Sequence, residues 1–133
     1  MKLHVYVPTG DVLEAEVGKI VAEGVEGSVG ILPRHVDYVE VLVPGILVFE
    51  TAEGEERLLA VDRGLLVKRG ERVTVSVRDA VPGEELGSLR RTVRERFEKL
   101  DRREKQARSA LAQLEARFIR NFLEQAEGLR DRH

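Results

Sequence analysis

The side chains able to do chemistry are few and scattered. The three histidines are His4, His35 and His133, and none sits in a motif that would build a nucleophile–base pair or a metal site. His4 falls on the polar side of an alternating run and His133 is the last residue, so both read as surface histidines. The chain contains no G-x-x-x-x-G-K-[ST] phosphate loop, no G-x-G-x-x-G fingerprint, no H-E-x-x-H and no G-x-S-x-G. The acid pairs Glu55-Glu56 and Glu84-Glu85 read as a solvated loop and as negative charge at a helix N-terminus, where it complements the macrodipole. With no cysteine, disulfides and thiolate metal centres are excluded, and a reduced cytoplasmic setting fits. The residue types point away from catalysis and towards binding.

The elements that would carry a binding surface fall into two regimes, which change near Pro82-Gly83. Before that point Leu3, Val5 and Val7 alternate with polar residues, as do Val73, Val75 and Val77, the period of a half-buried strand. Further strand-like runs are Leu13–Val21, Ser28–Leu32, Val36–Val43, Ile46–Thr51, Arg57–Val61 and Leu65–Lys68, separated by turn signals such as Glu53-Gly54 and Arg69-Gly70-Glu71. Many short strands with no helix between them predict an antiparallel sandwich or barrel and disfavour a parallel sheet. After Pro82 the chain reads as helix. Leu86, Leu89, Val93, Phe97 and Leu100 form one apolar stripe, and Ala107, Leu111, Leu114, Phe118 and Phe122 a second.

The fold class is therefore α+β in two parts: residues 1–82 an antiparallel β-sandwich or barrel, residues 83–133 a C-terminal helical arm. The arm is either a helical hairpin or one long helix of about 45 residues, spanning about 65 Å. The hairpin is favoured, since Asp101-x-x-Glu104 resembles a capping box and a lone helix would expose its stripe.

Charge separates the parts further. Residues 1–82 hold 9 Lys+Arg against 14 Asp+Glu, net −5, and residues 83–133 hold 13 against 10, net +3. Acids and bases alternate along the arm, the pattern of a solvated face and not of a nucleic-acid site. The longest uncharged apolar run, Val41–Phe49, is about half the ~20 residues a membrane helix needs, so direct membrane insertion is not expected.

One segment stands out: Gly24-Val25-Glu26-Gly27-Ser28-Val29-Gly30-Ile31-Leu32-Pro33-Arg34-His35, with the next run ending at Pro44-Gly45. Gly27 and Gly30 permit positive φ or close backbone approach, and Pro33 fixes the entry to the next strand. By physics alone it is a tight corner of a β domain. The spacing Glu26-Gly27-x-x-Gly30-Ile31-Leu32-Pro33-x-His35 … Pro44-Gly45 also resembles the epsilon subunit of F-type ATP synthases. So does Ala60-Val61-Asp62-Arg63-Gly64-Leu65-Leu66-Val67, followed by Gly70 and Val73-Thr74-Val75. The departure at Arg34-His35-Val36-Asp37-Tyr38-Val39-Glu40, with Leu86-Gly87-x-Leu89-Arg90-Arg91, is more similar to the epsilon subunit of the alternate, N-type ATPases.

That resemblance implies a non-catalytic central-stalk subunit of a rotary ATPase, coupling ATP synthesis or hydrolysis to proton or sodium transport. It would be peripheral to the cytoplasmic face of the inner or plasma membrane through its complex. It implies that Gly27, Ser28, Val29, Gly30, Ile31 and Leu32 face the polar loops of the c-ring and that His35 faces the gamma subunit. It implies an arm able to reach the alpha/beta head and block hydrolysis, with Arg102, Arg103, Lys105, Arg108, Arg117 and Arg120 as its cations. Family members that bind ATP carry Ile/Leu-Asp-x-x-Arg-Ala at the start of the arm. Here Arg90 matches while the acid and alanine are replaced by Gly87 and Arg91, so no cofactor is expected. Two other readings stand beside this one: a free β-sandwich module that homodimerises through a coiled-coil arm, and a small-ligand sensor.

Overall fold

The computed structural model describes residues 1–130, with side chains described as far as Ala126. His133 lies outside the described residues. Nine strands form the first part: β1 (Lys2–Val7), β2 (Gly10–Gly24), β3 (Gly27–Ile31), β4 (Tyr38–Leu42), β5 (Gly45–Thr51), β6 (Glu56–Val61), β7 (Gly64–Arg69), β8 (Arg72–Val77) and β9 (Ala80–Gly83). They follow the order β1-β8-β7-β4-β2-β5-β6-β9, with β3 on β2 and β1 also paired to β2. The long strand β2 joins the two layers of this sandwich. Its first half pairs with β1, and its second half pairs with β3 and β5. The ladder with β5 slips between Val17 and Lys19, at Gly18, where a bulge lets a strand bend.

Alternation does what the period demands. Leu3, Val5, Val73, Val75 and Val77 are buried in one core with Ile20, Ile31, Leu47, Leu59 and Leu66. Two features of the sheet were not foreseen. The pairing of β1 with β8 is parallel, Leu3 opposite Val73, because the crossover a parallel pair needs is supplied by the intervening strands themselves, not by a helix. Strand β9 goes unsignalled by alternation: it is four residues long and contains Pro82, which is tolerated because β9 ends the strand order and pairs with β6 alone.

The helical region is α1 (Leu86–Thr92), a π-helical segment (Val93–Glu98) and α2 (Lys99–Arg130), in unbroken succession. The favoured hairpin is thus not formed; the long-helix alternative is. Asp101 starts no new helix, and its carboxylate instead pairs with Lys105 at 3.4 Å one turn on. Contacts divide the chain into two compact units, Met1–Glu98 and Lys99–His133. The first therefore includes α1 and the π segment, beyond the composition change at Pro82-Gly83.

Candidate partner-binding face and helical arm

The tight corner expected in the glycine-rich segment is a β-hairpin. Gly24 pairs with Gly27 around the two-residue turn Val25-Glu26, and Gly27 has φ of 123°, a conformation that favours glycine. Residues 27–31 are thus strand β3, close to the expected run Ser28–Leu32, with Leu32 following. Gly30 has neither a positive φ nor a neighbour that a Cβ would meet, so neither requirement expected of it applies.

The glycines that matter for space are Gly24 and Gly45. A Cβ on Gly24 would collide with the Glu40 carboxylate, and one on Gly45 would lie 2.8 Å from Glu23 Cγ. Each glycine makes room for a glutamate. Ser28 Oγ donates to Glu23 Oε1 at 2.8 Å, and Glu26 is exposed at the turn. The hairpin tip therefore carries carboxylates although Ser28 itself is neutral.

The chain then enters the loop 32–37. His35 N–H donates to Leu32 O at 2.9 Å, and the His35 ring meets Tyr38 edge-on with centroids 5.3 Å apart. The Tyr38 hydroxyl donates to Glu40. That hydrogen bond raises the phenol above its ordinary range, with burial and the nearby carboxylates of Glu40 and Glu26 adding to it. Beyond the loop, Val39 and Val41 on β4 and Leu65 on β7 point outward, in adjacent register, with Val41 opposite Leu65. With Val25, whose N–H donates to Val41 O, they form an exposed apolar face.

The neighbouring turn between β6 and β7 is built on charge. Asp62, 1% exposed, accepts two hydrogen bonds from Arg78, 2.6 Å from Nε and 3.2 Å from a terminal nitrogen, and one from Arg63 N–H at 2.7 Å. Gly64 follows because a Cβ there would run into the Ser76 carbonyl and lie 2.7 Å from Val77 Cα. His4, expected on the polar side, is partly buried. It stacks on Tyr6 with centroids 3.8 Å apart, and its Nε2 lies 3.4 Å from Asp11 Oδ1 with no hydrogen bond formed.

The start of the arm is anchored within the first unit. Leu89, Val93 and Phe97 pack with Ala60, Ile46, Leu58 and Val81, and Gly83 lets Leu89 come close. These three side chains are four residues apart. On a 3.6-residue turn each such step rotates about 40° off the buried face. The wider turn of the π segment takes that rotation back, so Phe97 remains 1% exposed. Arg96 adds an ion pair to Asp79 at 2.8 Å. Arg90, the arginine that matches a nucleotide motif, is exposed on α1. In α2 the candidate cations Arg102, Arg103, Lys105, Arg108, Arg117 and Arg120 are all exposed, as are Leu111, Leu114, Phe118 and Phe122.

Sequence reading passed over Glu23, Glu40 and Lys68. The last was detectable, since Lys68 falls two residues after Leu66 on the core-facing side of β7, where alternation calls for an apolar residue.

Comparison with known proteins matches this architecture. A family model described as "ATP synthase, Delta/Epsilon chain, beta-sandwich domain" matches residues 1–83. The chain is 38% identical over 125 residues to the ATP synthase epsilon chain 2 of Cereibacter sphaeroides, covering 92% of this chain and 86% of that one. It is 35% identical over 81 residues to the ATP synthase epsilon chain of a Sulfurovum species, covering 61% of this chain and 63% of that one. Among solved structures, a chain of the Euglena gracilis mitochondrial ATP synthase, OSCP/F1/c-ring in rotational state 1, superposes with a TM-score of 0.59. That chain is 28% identical, and the match covers 80% of this chain and 62% of that one.

Proposed function

This chain belongs to the ATP synthase delta/epsilon family, as an epsilon-type central-stalk subunit, and on that premise we propose how it acts in the rotor. It is a non-catalytic part that couples the rotary head to the ion-carrying ring, protons or sodium ions being the cargo. The exposed apolar face of Val25, Val39, Val41 and Leu65 carries this reading, because a contiguous apolar patch on a folded surface marks a protein contact. That face, and His35 in the loop before β4, meet the gamma subunit. The β2–β3 hairpin, Gly27 to Leu32, meets the polar loops of the c-ring. Glu23 and Glu26 supply negative charge there.

The complex holds the subunit at the cytoplasmic face of the inner or plasma membrane; among the described residues no helix is long and apolar enough to cross one. The departures at 34–40 and the likeness to a protein named epsilon chain 2 support the alternate, N-type branch. The subunit takes no cofactor, since Arg90 stands without the acid of the nucleotide motif.

The arm inhibits hydrolysis by reaching the alpha/beta head with its cations, Arg102, Arg103, Lys105, Arg108, Arg117 and Arg120, opposite acidic surfaces. Removing residues 99–133 leaves the first compact unit whole. In the assembled complex this truncation should raise ATP hydrolysis several-fold with assembly intact. Unchanged hydrolysis would reduce the arm to a packing element. The exposed stripe of Leu111, Leu114, Phe118 and Phe122 favours a second reading, homodimerisation through a coiled coil. Sedimentation decides: a stable dimer that ignores gamma supports the second reading, and a monomer that joins gamma the first.

A further inference from the structure

Lys68 is 2% exposed and sits on the core-facing side of β7, opposite Tyr38. Placing an ammonium there costs several kcal/mol unless its protons find acceptors, so an apolar side chain would serve the core better. What Lys68 does instead is join two segments far apart in sequence. Its Nζ donates to His35 O at 2.6 Å and to Gly70 O at 2.6 Å. Gly70, at φ of 60° in the β7–β8 turn, returns its own N–H to Asp37 Oδ1 at 2.8 Å. Two of these hydrogen bonds reach the loop 32–37, at His35 and Asp37, and the third fastens the lysine to the β7–β8 turn. The loop's other hydrogen bonds are local: His35 N–H donates to Leu32 O at 2.9 Å and the His35 ring bonds Val36 O through Nδ1 at 2.8 Å, while its Leu32 and Val36 side chains are 54% and 75% exposed.

We propose that Lys68 and Asp37 form a clamp that holds the loop 32–37 as a preformed docking ridge, so that His35 and Val36 meet the gamma subunit without first being ordered. This rests on the reading above that His35 faces gamma. Lys68 and Asp37 are positioning residues: they act through the loop, and the gain is the ordering entropy that binding no longer has to supply.

The test uses the full chain and the purified gamma subunit. Lys68→Met removes both carbonyl contacts, and Asp37→Ala, at an exposed position, removes the third with little risk to folding. Backbone hydrogen exchange is followed in peptides covering 32–38 and 69–71, beside the melting temperature and gamma affinity. The clamp predicts exchange at 34–37 faster by about tenfold and gamma binding weaker by about tenfold, with exchange elsewhere in the sandwich unchanged. If Lys68→Met fails to fold, Asp37→Ala carries the test alone. Unchanged exchange in the loop overturns the clamp. Faster exchange with unaltered gamma affinity overturns the docking role. A wild-type chain that does not bind gamma overturns the parent reading and this docking role together, while the exchange data still decide whether the clamp exists.

Discussion

Tyr38, Glu40 and Gly24 show how one small residue governs a charged neighbour. With no Cβ on Gly24, the Glu40 carboxylate folds down beside it and takes the Tyr38 hydroxyl. Ionising that phenol would set two anions side by side, so the folded state holds the proton more tightly than the ordinary value of 10.0. The sign follows: the contribution to stability is complete below that ordinary value and is lost as pH rises through the higher folded value. In a Tyr6→Phe background, absorbance titration should place Tyr38 ionisation above the ordinary phenol range, and Glu40→Gln should bring it back. A Tyr38 midpoint indifferent to Glu40 would contradict the hydrogen bond. The glycines of this segment were legible as spacing. The glutamates they make room for were not, because Glu40 reaches Gly24, and Glu23 reaches Gly45, through cross-strand packing that no local pattern encodes.

At the scale of elements, most strands could be read from alternation alone, since one face of each is buried. The helix was legible as an apolar stripe, but not where its packed part ends. Leu86 and Leu100 belong to the same stripe as Phe97 and are 40% and 43% exposed, a difference set by the sheet beneath and not by the helix. Nor did the stripe announce the π segment, whose effect is to keep Val93 and Phe97 under Leu89. Phe97→Ala should therefore cost about 3 kcal/mol. That loss should appear as a lower denaturant midpoint and faster hydrogen exchange across 86–98. An unmoved midpoint would mean that the sandwich does not depend on this anchor.

For the whole molecule, the division at Glu98 and Lys99 separates a unit stabilised by burial from one whose described side chains are nearly all solvent-facing. Charge patterning pointed to that contrast, since alternating acids and bases make a helix that tolerates water. What the residue pattern does not reveal is strand order: the first strand finds its second neighbour in β8, near the end of the sandwich's sequence.

That parallel pairing bears on how the chain is made. On the ribosome, Lys2–Val7 emerges first and pairs with β2, but its other edge stays open until Arg72–Val77 has been synthesised and released. Contacts this distant close slowly, and an open strand edge invites pairing with other nascent chains. Chains stalled with Gly70 as the last residue outside the exit tunnel should stay sensitive to protease. Chains stalled with Val77 clear of it should become resistant over the same sandwich peptides. The last strands made would then act as the latch for the first.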